Sequence, residues 1–459
     1  MNHLDVAAIE AFRRSLQGSV ILPGDPGYDP ARAVFNAMID RKPALIAQVA
    51  SREDVAAAIA FGRRHGLEIA VRGGGHSVAG KSLSDGGIVI DLRRLNATAV
   101  DPTGMTATVG GGATMKDLDG ATQRHGLATT GGRVSTTGVG GFTLGGGGGW
   151  LDRKFGLACD NLVSVDLVTA DGAFVTASER ENPELFWALH GGGGNFGVAT
   201  SFTLRLYPLG NVTVAMLFWA ADRGPAVLRA YRDFIESAPD EVGGGAIFLT
   251  APAMDAVPAG LTGQLALLTL LVYAGSETEA QKAFAPLLAL RPDGQSVAEM
   301  PYADMQAMLD DPPGMRNYWS AEYLRAFPDA AADAFAAQAD GMIVPSSSQH
   351  VLFPGGGKVA RETADWPIPW RRAPWCVHPF GLWTDPADDA RGIKWTHDVR
   401  AAMKPWATGD VYLNFIGDEG ADRIVAGLGQ ANHARLSRVK AEWDPDNVFR
   451  LNHNIIPAA

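Results

Sequence analysis

Two stretches of the chain place glycines and a reactive side chain at spacings that could hold phosphate. In VRGGGHSVAGKS, residues 71–82, Gly75 to Ser82 matches the phosphate-loop pattern G-x-x-x-x-G-K-[ST], in which backbone N–H groups and a lysine cradle a nucleotide. The pattern works when its Lys-Ser pair opens a helix, because the helix N-terminus supplies further donors. Here Lys81-Ser82 runs into LSDGG and then into GIVIDL at 87–92, which reads as a strand, so a helix has no room to form. Gly192-x-Gly194-x-x-Gly197 matches the dinucleotide fingerprint, but it follows a helix and opens a strand, the reverse of the order that fingerprint needs. A nucleotide triphosphatase and a Rossmann dehydrogenase are both weakly supported.

Three glycine-rich segments remain: RGGGHS at 72–77, TTGGRVSTTGVGGFTLGGGGGW at 129–150 and HGGGGNFG at 190–197. Backbone free of side chains lets N–H groups approach an anion closely, so converging loops of this kind would make a site for a large anionic cofactor. The same glycines would equally serve tight turns at crowded strand ends. His76 stands directly behind three of them. An imidazole with an ordinary pKa of ~6.5 is mostly neutral near pH 7, which leaves a ring nitrogen free to attack an electrophilic carbon.

The elements that must position these loops are legible in part. SREDVAAAIAFGRRH at 51–65 reads as a helix capped by Ser51 and stopped at Gly66, and LEIAVR at 67–72 as the strand that delivers RGGGHS. LVSVDLVTADGAFVTAS at 162–178 reads as two strands joined by an Asp171-Gly172 turn. NPELFWALHG at 182–191 reads as a short helix capped by Asn182, and GVATSFTLRLYPL at 197–209 as a strand. From 210 to 410, helical segments near 224–237, 278–290, 329–339 and 387–403 alternate with short apolar strands. VYLNFIG at 411–417 reads as a strand and NHARLSRVKAEW at 432–443 as a helix, followed by a turn-rich tail.

Composition narrows the function classes. A chain of 459 residues is long enough for two or three domains, and 55 glycines exceed the usual ~7%. A net charge of -11 argues against nucleic acid or an anionic membrane as the main partner. Cys159 and Cys376 are too few for a disulfide framework and lack metal-ligand spacing, and the histidines show no metal motif. The longest apolar run, LALLTLLVYA at 265–274, falls short of the ~20 residues that span a bilayer, and the N-terminus lacks a signal-like apolar core. These features predict a soluble cytoplasmic protein in a reducing compartment, monomer or homodimer.

Four ordered motifs give the chain a resemblance. VRGGGHS, GVGGFTLGGGGGWLDRKFGLACDNL at 138–162, ELFWALHGGGGNFGVATSFTLRLYP at 185–208 and DPDNVFRLNHNIIP at 444–457 resemble the berberine bridge enzyme-like flavin oxidoreductases of the vanillyl-alcohol oxidase superfamily. The bacterial branch that includes 6-hydroxynicotine oxidases is similar. The resemblance implies an α+β fold: a two-part PCMH-type FAD-binding domain formed by residues 1–209 and a C-terminal segment, 411–459. Between them, residues 210–410 would form an α+β substrate domain whose antiparallel sheet is backed by helices. It implies a covalent bond from a ring nitrogen of His76 to the 8α carbon of FAD.

The family's second attachment cysteine falls in a G-x-C-x-x-V-G segment; Val134 holds that position here, so a single histidyl link is expected. By the same resemblance, Arg72, Gly73, Gly74, Gly75, His76 and Ser77 meet the cofactor, with Thr137, Gly138, Gly141 and Phe142 from the second loop. Val198 and the tail residues Asn452 and Asn454 approach it as well, although turn formation is an equal explanation for the asparagines.

The expected chemistry is hydride transfer to FAD from a small or medium organic molecule, with O2 as acceptor. Tyr412 and Asn414 match a Y-x-N segment that lies over the flavin in alcohol- and sugar-oxidising relatives, where the tyrosine resembles a general base. For that role the phenol's pKa must fall from ~10 to near 7, worth about 4 kcal/mol. Oxidation of a CH–OH group is the leading expectation. CH–N oxidation of a cyclic amine is the alternative, and a non-redox cyclase or binding protein on the same scaffold a third. Phe415 stands where relatives carry a second tyrosine; Tyr318, Trp319, His350, His378 and Trp383 are candidate lining from the middle of the chain.

Overall fold

A computed structural model describes residues 5–459. Its N-terminal part contains two larger sheets, beside a two-stranded pairing of Leu127–Ala128 with Tyr207–Pro208. In the first, Leu45–Gln48, Ile88–Asp91 and Ile69–Arg72 run parallel in that spatial order, with Ser19–Ile21 antiparallel at the edge. These short strands are apolar on both faces, as parallel strands covered on both sides must be. The helix Arg52–Arg64 covers one face: Val55, Ala58 and Ile59 meet Leu45, Ile88 and Ile90. Ser51 Oγ accepts from the Asp54 amide, and Gly66, at φ +62°, turns the chain back toward the strand Ile69–Arg72.

The second sheet is antiparallel, in the order Thr98–Asp101, Thr106–Gly110, Val198–Arg205, Leu162–Val168, Phe174–Ser178. Asn182 precedes the helix Pro183–Ala188 in a left-handed conformation and donates to Thr176 O instead of capping the helix.

The middle of the chain builds an eight-stranded antiparallel sheet. Its path is Gly294–Pro301, Asn211–Ala220, Leu265–Tyr273, Val242–Thr250, Gln349–Pro354, Trp375–Trp383, Arg316–Trp319, with Glu322–Leu324 also pairing to Trp375–Trp383. Alternation along Asn211–Ala220 shows why both of its faces are apolar from residue 214 to residue 219. Ala215, Leu217 and Trp219 face the helices Gly224–Ser237, Glu277–Leu288, Asp329–Gln338 and Asp389–Met403, whereas Val214, Met216 and Phe218 face the N-terminal part.

The chain then returns to its first part. Residues 411–417 are not a strand: Leu413–Phe415 form a single 3-10 turn, and the helices Ala421–Leu428 and Gln430–Trp443 follow. The alternation of VYLNFIG reflects packing of Val411, Tyr412, Leu413 and Ile416 into the shared core, without a ladder partner. The fully buried Lys440 ammonium donates to Asp444, Asn195 O and Phe449 O, which ties the tail to the HGGGGNFG turn.

Candidate functional site

The three glycine-rich segments converge on one cavity of about 370 Å³ between the N-terminal part and the eight-stranded sheet. Fifteen of its lining residues are glycine, so much of its wall is bare backbone. Gly74 and Gly138 touch: a Cβ on Gly74 would lie 2.3 Å from the Gly138 nitrogen, so only glycine lets the first two loops meet. No backbone N–H from Gly74 to Ser77 finds a protein acceptor among the described residues. Successive free amides in a side-chain-free turn form an anion cradle, so the donor set fits the pyrophosphate of a dinucleotide such as FAD.

His76 lines this cavity. Its ring stacks on Phe35 with centroids 4.2 Å apart, and Nε2 shares a 2.9 Å hydrogen bond with Thr136 Oγ1. Burial pushes the imidazole down to about 4, opposed by the charge of Asp310, so the ring is neutral at pH 7. Val134 lines the same cavity where a thiol would be needed for a second attachment. Cys159 is buried in the core, its thiol pushed up by burial, and cannot substitute.

Gly73, Gly74, Gly75, Ser77, Thr137, Gly138, Gly141, Phe142, Val198 and Asn452 line the cavity as the sequence suggests. Arg72 and Asn454 do not. The Arg72 guanidinium turns outward and donates to Ala31 O and Ala33 O, holding the preceding loop, and Asn454 is absent from the wall. Lys81 borders the cavity and pairs with Asp418 at 3.0 Å.

At the other end, Tyr412 and Asn414 are brought together by the 3-10 turn. Asn414 Nδ2 donates to Tyr412 Oη at 2.9 Å and to Gly141 O and Phe142 O at 3.3 and 3.2 Å; the Gly147 amide also donates to Tyr412 Oη, at 3.0 Å. Burial raises the phenol, these donors lower it, and the balance leaves it at about 12. The main influences on it include no cation. The lowered pKa that a tyrosine base requires is therefore not supplied by the protein.

Of the candidates from the middle of the chain, Trp319 and His378 reach the cavity. His378 stacks on Phe415 at 4.0 Å, with Nδ1 engaged by Ser320 O. His350 and Trp383 do not reach it: His350 stacks on Phe335 on the helix-covered side of the sheet, and Trp383 donates to Asp389. Tyr318 instead bonds His397. Sequence reading missed Asp311, which lines the cavity and, among the described residues, forms no hydrogen bond or ion pair; burial and its neighbour Asp310 push it up to about 7. DDPPG at 310–314 belongs to no motif, and only the tertiary approach of the two parts reveals it.

The family described as "FAD binding domain" matches residues 43–178, and the one described as "Berberine and berberine like" matches residues 411–456. The chain is 32% identical to (R)-6-hydroxynicotine oxidase of Paenarthrobacter nicotinovorans over 96% of its own length and 97% of that protein's. It belongs to the berberine bridge enzyme-like FAD-linked oxidoreductases. The crystal structure of 6-hydroxy-D-nicotine oxidase from Arthrobacter nicotinovorans superposes on this FAD-dependent oxidoreductase with a TM-score of 0.87, at 30% identity, covering 97% of this chain and 99% of that one. BBE-like 1 from Physcomitrella patens shares the fold at 22% identity, with a TM-score of 0.86 over 98% and 99% of the two chains.

Proposed function

We propose that this flavoprotein oxidises a CH–N bond of a small, largely apolar amine, with FAD joined to His76 by one bond and O2 as acceptor. Bound FAD supplies the two-electron acceptor. What the chain's own residues do decides between amine and alcohol. Tyr412, held at about 12, is a neutral phenol at pH 7 and a poor base for an alcohol, whereas a neutral amine can give up a hydride without one. That observation carries the reading and displaces CH–OH oxidation, which the Y-x-N segment alone favours.

The wall supports it. Ile247, Leu309, Trp319, Val351, Phe353 and Phe380 give the cavity a largely apolar wall, in which Asp311, Gln349 and His378 are among the polar groups. Asp311, unpaired among the described residues and pushed up to about 7, lines the same wall and is suited to take the proton from an ammonium group, leaving the neutral amine. The relative with an amine substrate in its name, matched along nearly its whole length, points the same way. Alcohol oxidation keeps one observation in its favour: Tyr412 Oη receives only N–H donors, an arrangement that stabilises an oxyanion.

The deciding measurement is anaerobic bleaching of the flavin by amine and alcohol pairs built on the same aromatic frame. Amines should reduce it faster; reduction by alcohols alone would overturn the proposal. Flavin that stays with acid-precipitated protein, and is released by His76→Ala, tests the link separately.

A further inference from the structure

We propose that Asp310 is a positioning residue for covalent flavin attachment: it reaches from the substrate half to the loop beneath His76 and fixes the threonine that orients the ring. The inference rests on His76 being the attachment point. Asp310 lies between the helix Tyr302–Ala307 and the strand Arg316–Trp319, both belonging to the part built around the eight-stranded sheet. It nevertheless spends both carboxylate oxygens on the N-terminal part. Oδ1 accepts from the Ser135 amide at 2.7 Å and Oδ2 accepts from the Ser135 hydroxyl. The next residue, Thr136, holds His76 Nε2 at 2.9 Å.

A second tie runs from the same segment to the same loop, since Gln306 Nε2 donates to Gly132 O at 2.8 Å. On the far side of the imidazole, Phe35 stacks against the ring and is itself met edge-on by Trp319, with centroids 5.9 Å apart. The imidazole is thus gripped between a loop clamped by Asp310 and an aromatic backed by Trp319. Both outer contacts come from the substrate half.

The chemistry explains why such a grip matters. Nucleophilic attack requires the lone pair of one ring nitrogen to face the flavin methyl carbon within a narrow angular range. With Nε2–H donated to Thr136 Oγ1, the free lone pair is on Nδ1. In the complete reaction a C–N bond forms, one hydrogen leaves the methyl group and one leaves the imidazole. O2 takes up the two hydrogens with their two electrons as hydrogen peroxide, so the flavin ends oxidised. Positive charge grows on the ring as the new bond forms, and the Asp310 carboxylate is the charged group that favours it.

The test measures flavin attachment and leaves turnover aside. Full-length protein and the variants Asp310→Ala, Asp310→Asn and Thr136→Val are incubated with FAD in air. Total bound flavin, the fraction surviving acid precipitation and the thermal midpoint are followed over time. Asp310→Ala and Thr136→Val should bind FAD but link it roughly ten- to a hundred-fold more slowly. Asp310→Asn, which can keep both contacts to Ser135 without the charge, should fall between, and Thr136→Ser should restore linking. Attachment in both Asp310 variants at the native rate overturns the proposal, as does parallel loss of bound and linked flavin. If the native protein holds no acid-stable flavin, the His76 reading itself fails and this one falls with it.

Discussion

Tyr412 separates the two chemistries most sharply, because its oxygen is placed by hydrogen bonds while its ionisation is opposed by burial. A general base contributes typically 10²–10⁴-fold. If the substrate is an amine, Tyr412→Phe should lower kcat by less than about tenfold, since the ring still packs against Trp370 and Phe415, with centroids 4.7 Å away from each. The pH profile of kcat should keep its shape. A loss of a thousandfold, together with disappearance of an alkaline-rising limb, would instead identify the tyrosine as the base and return the enzyme to alcohol oxidation. His76, Tyr412 and Asn414 could be singled out in the sequence because each sits in a short motif that carries the family resemblance, although the segment around Tyr412 was read as a strand and forms a 3-10 turn. Asp310 and Asp311 were not, since their roles arise where a distant segment packs against the 132–138 loop.

The glycine loops work as elements through what they exclude. Gly74 and Gly138 lie in van der Waals contact through their backbones, so a methyl group on Gly74 must push the two loops apart. Overpacking against main chain costs about 1–3 kcal/mol, and the displaced loop is the one carrying His76. Gly74→Ala should therefore lower the thermal midpoint and abolish flavin attachment together. Gly141 supplies the contrast: it lies within the helix Val139–Leu144, and a Cβ there would meet nothing within 4 Å. Gly141→Ala should leave the midpoint unchanged or raise it while weakening FAD retention, because the new methyl enters the cavity wall. Equal effects of the two substitutions would contradict this division. That helix was hidden in the sequence, as GVGGFTL has neither helix propensity nor an amphipathic period. The longer helices that cover the eight-stranded sheet were read within a few residues because each carries an apolar stripe against the sheet. VYLNFIG at 411–417, read as a strand, has strand-like residues but pairs with no strand.

On the scale of the whole molecule, the cavity exists because two parts with separate sheets close on each other, and their seam buries polar groups that neither part would bury alone. Asp119, from the helix Met115–Thr122, is 2% exposed and accepts at 3.2 Å from Gln306 Nε2 of the part built around the eight-stranded sheet; its other oxygen has no partner among the described residues. Burial outweighs that hydrogen bond and pushes the carboxyl from 3.8 up to about 7. The folded protein therefore holds a proton there that the unfolded chain releases near pH 4. The resulting stabilisation is fully present below about pH 4 and is lost as the pH rises through about 7, a difference on the order of 4 kcal/mol. Buried His190 and His350, pushed down by burial to about 4 and 3, act in the opposite sense, because acid protonates them in the unfolded chain first. The native pH profile is consequently a compromise, and the difference between native protein and Asp119→Asn isolates the carboxylate. Asparagine keeps an acceptor for Gln306 and has no charge to bury, so the variant should be the more stable protein at pH 8 and lose that advantage progressively as the pH falls to about 4, read as denaturant midpoints at matched slopes. A variant destabilised equally at both pH values would show instead that Asp119 is ionised and paired across the seam, and that the two parts are held together by charge.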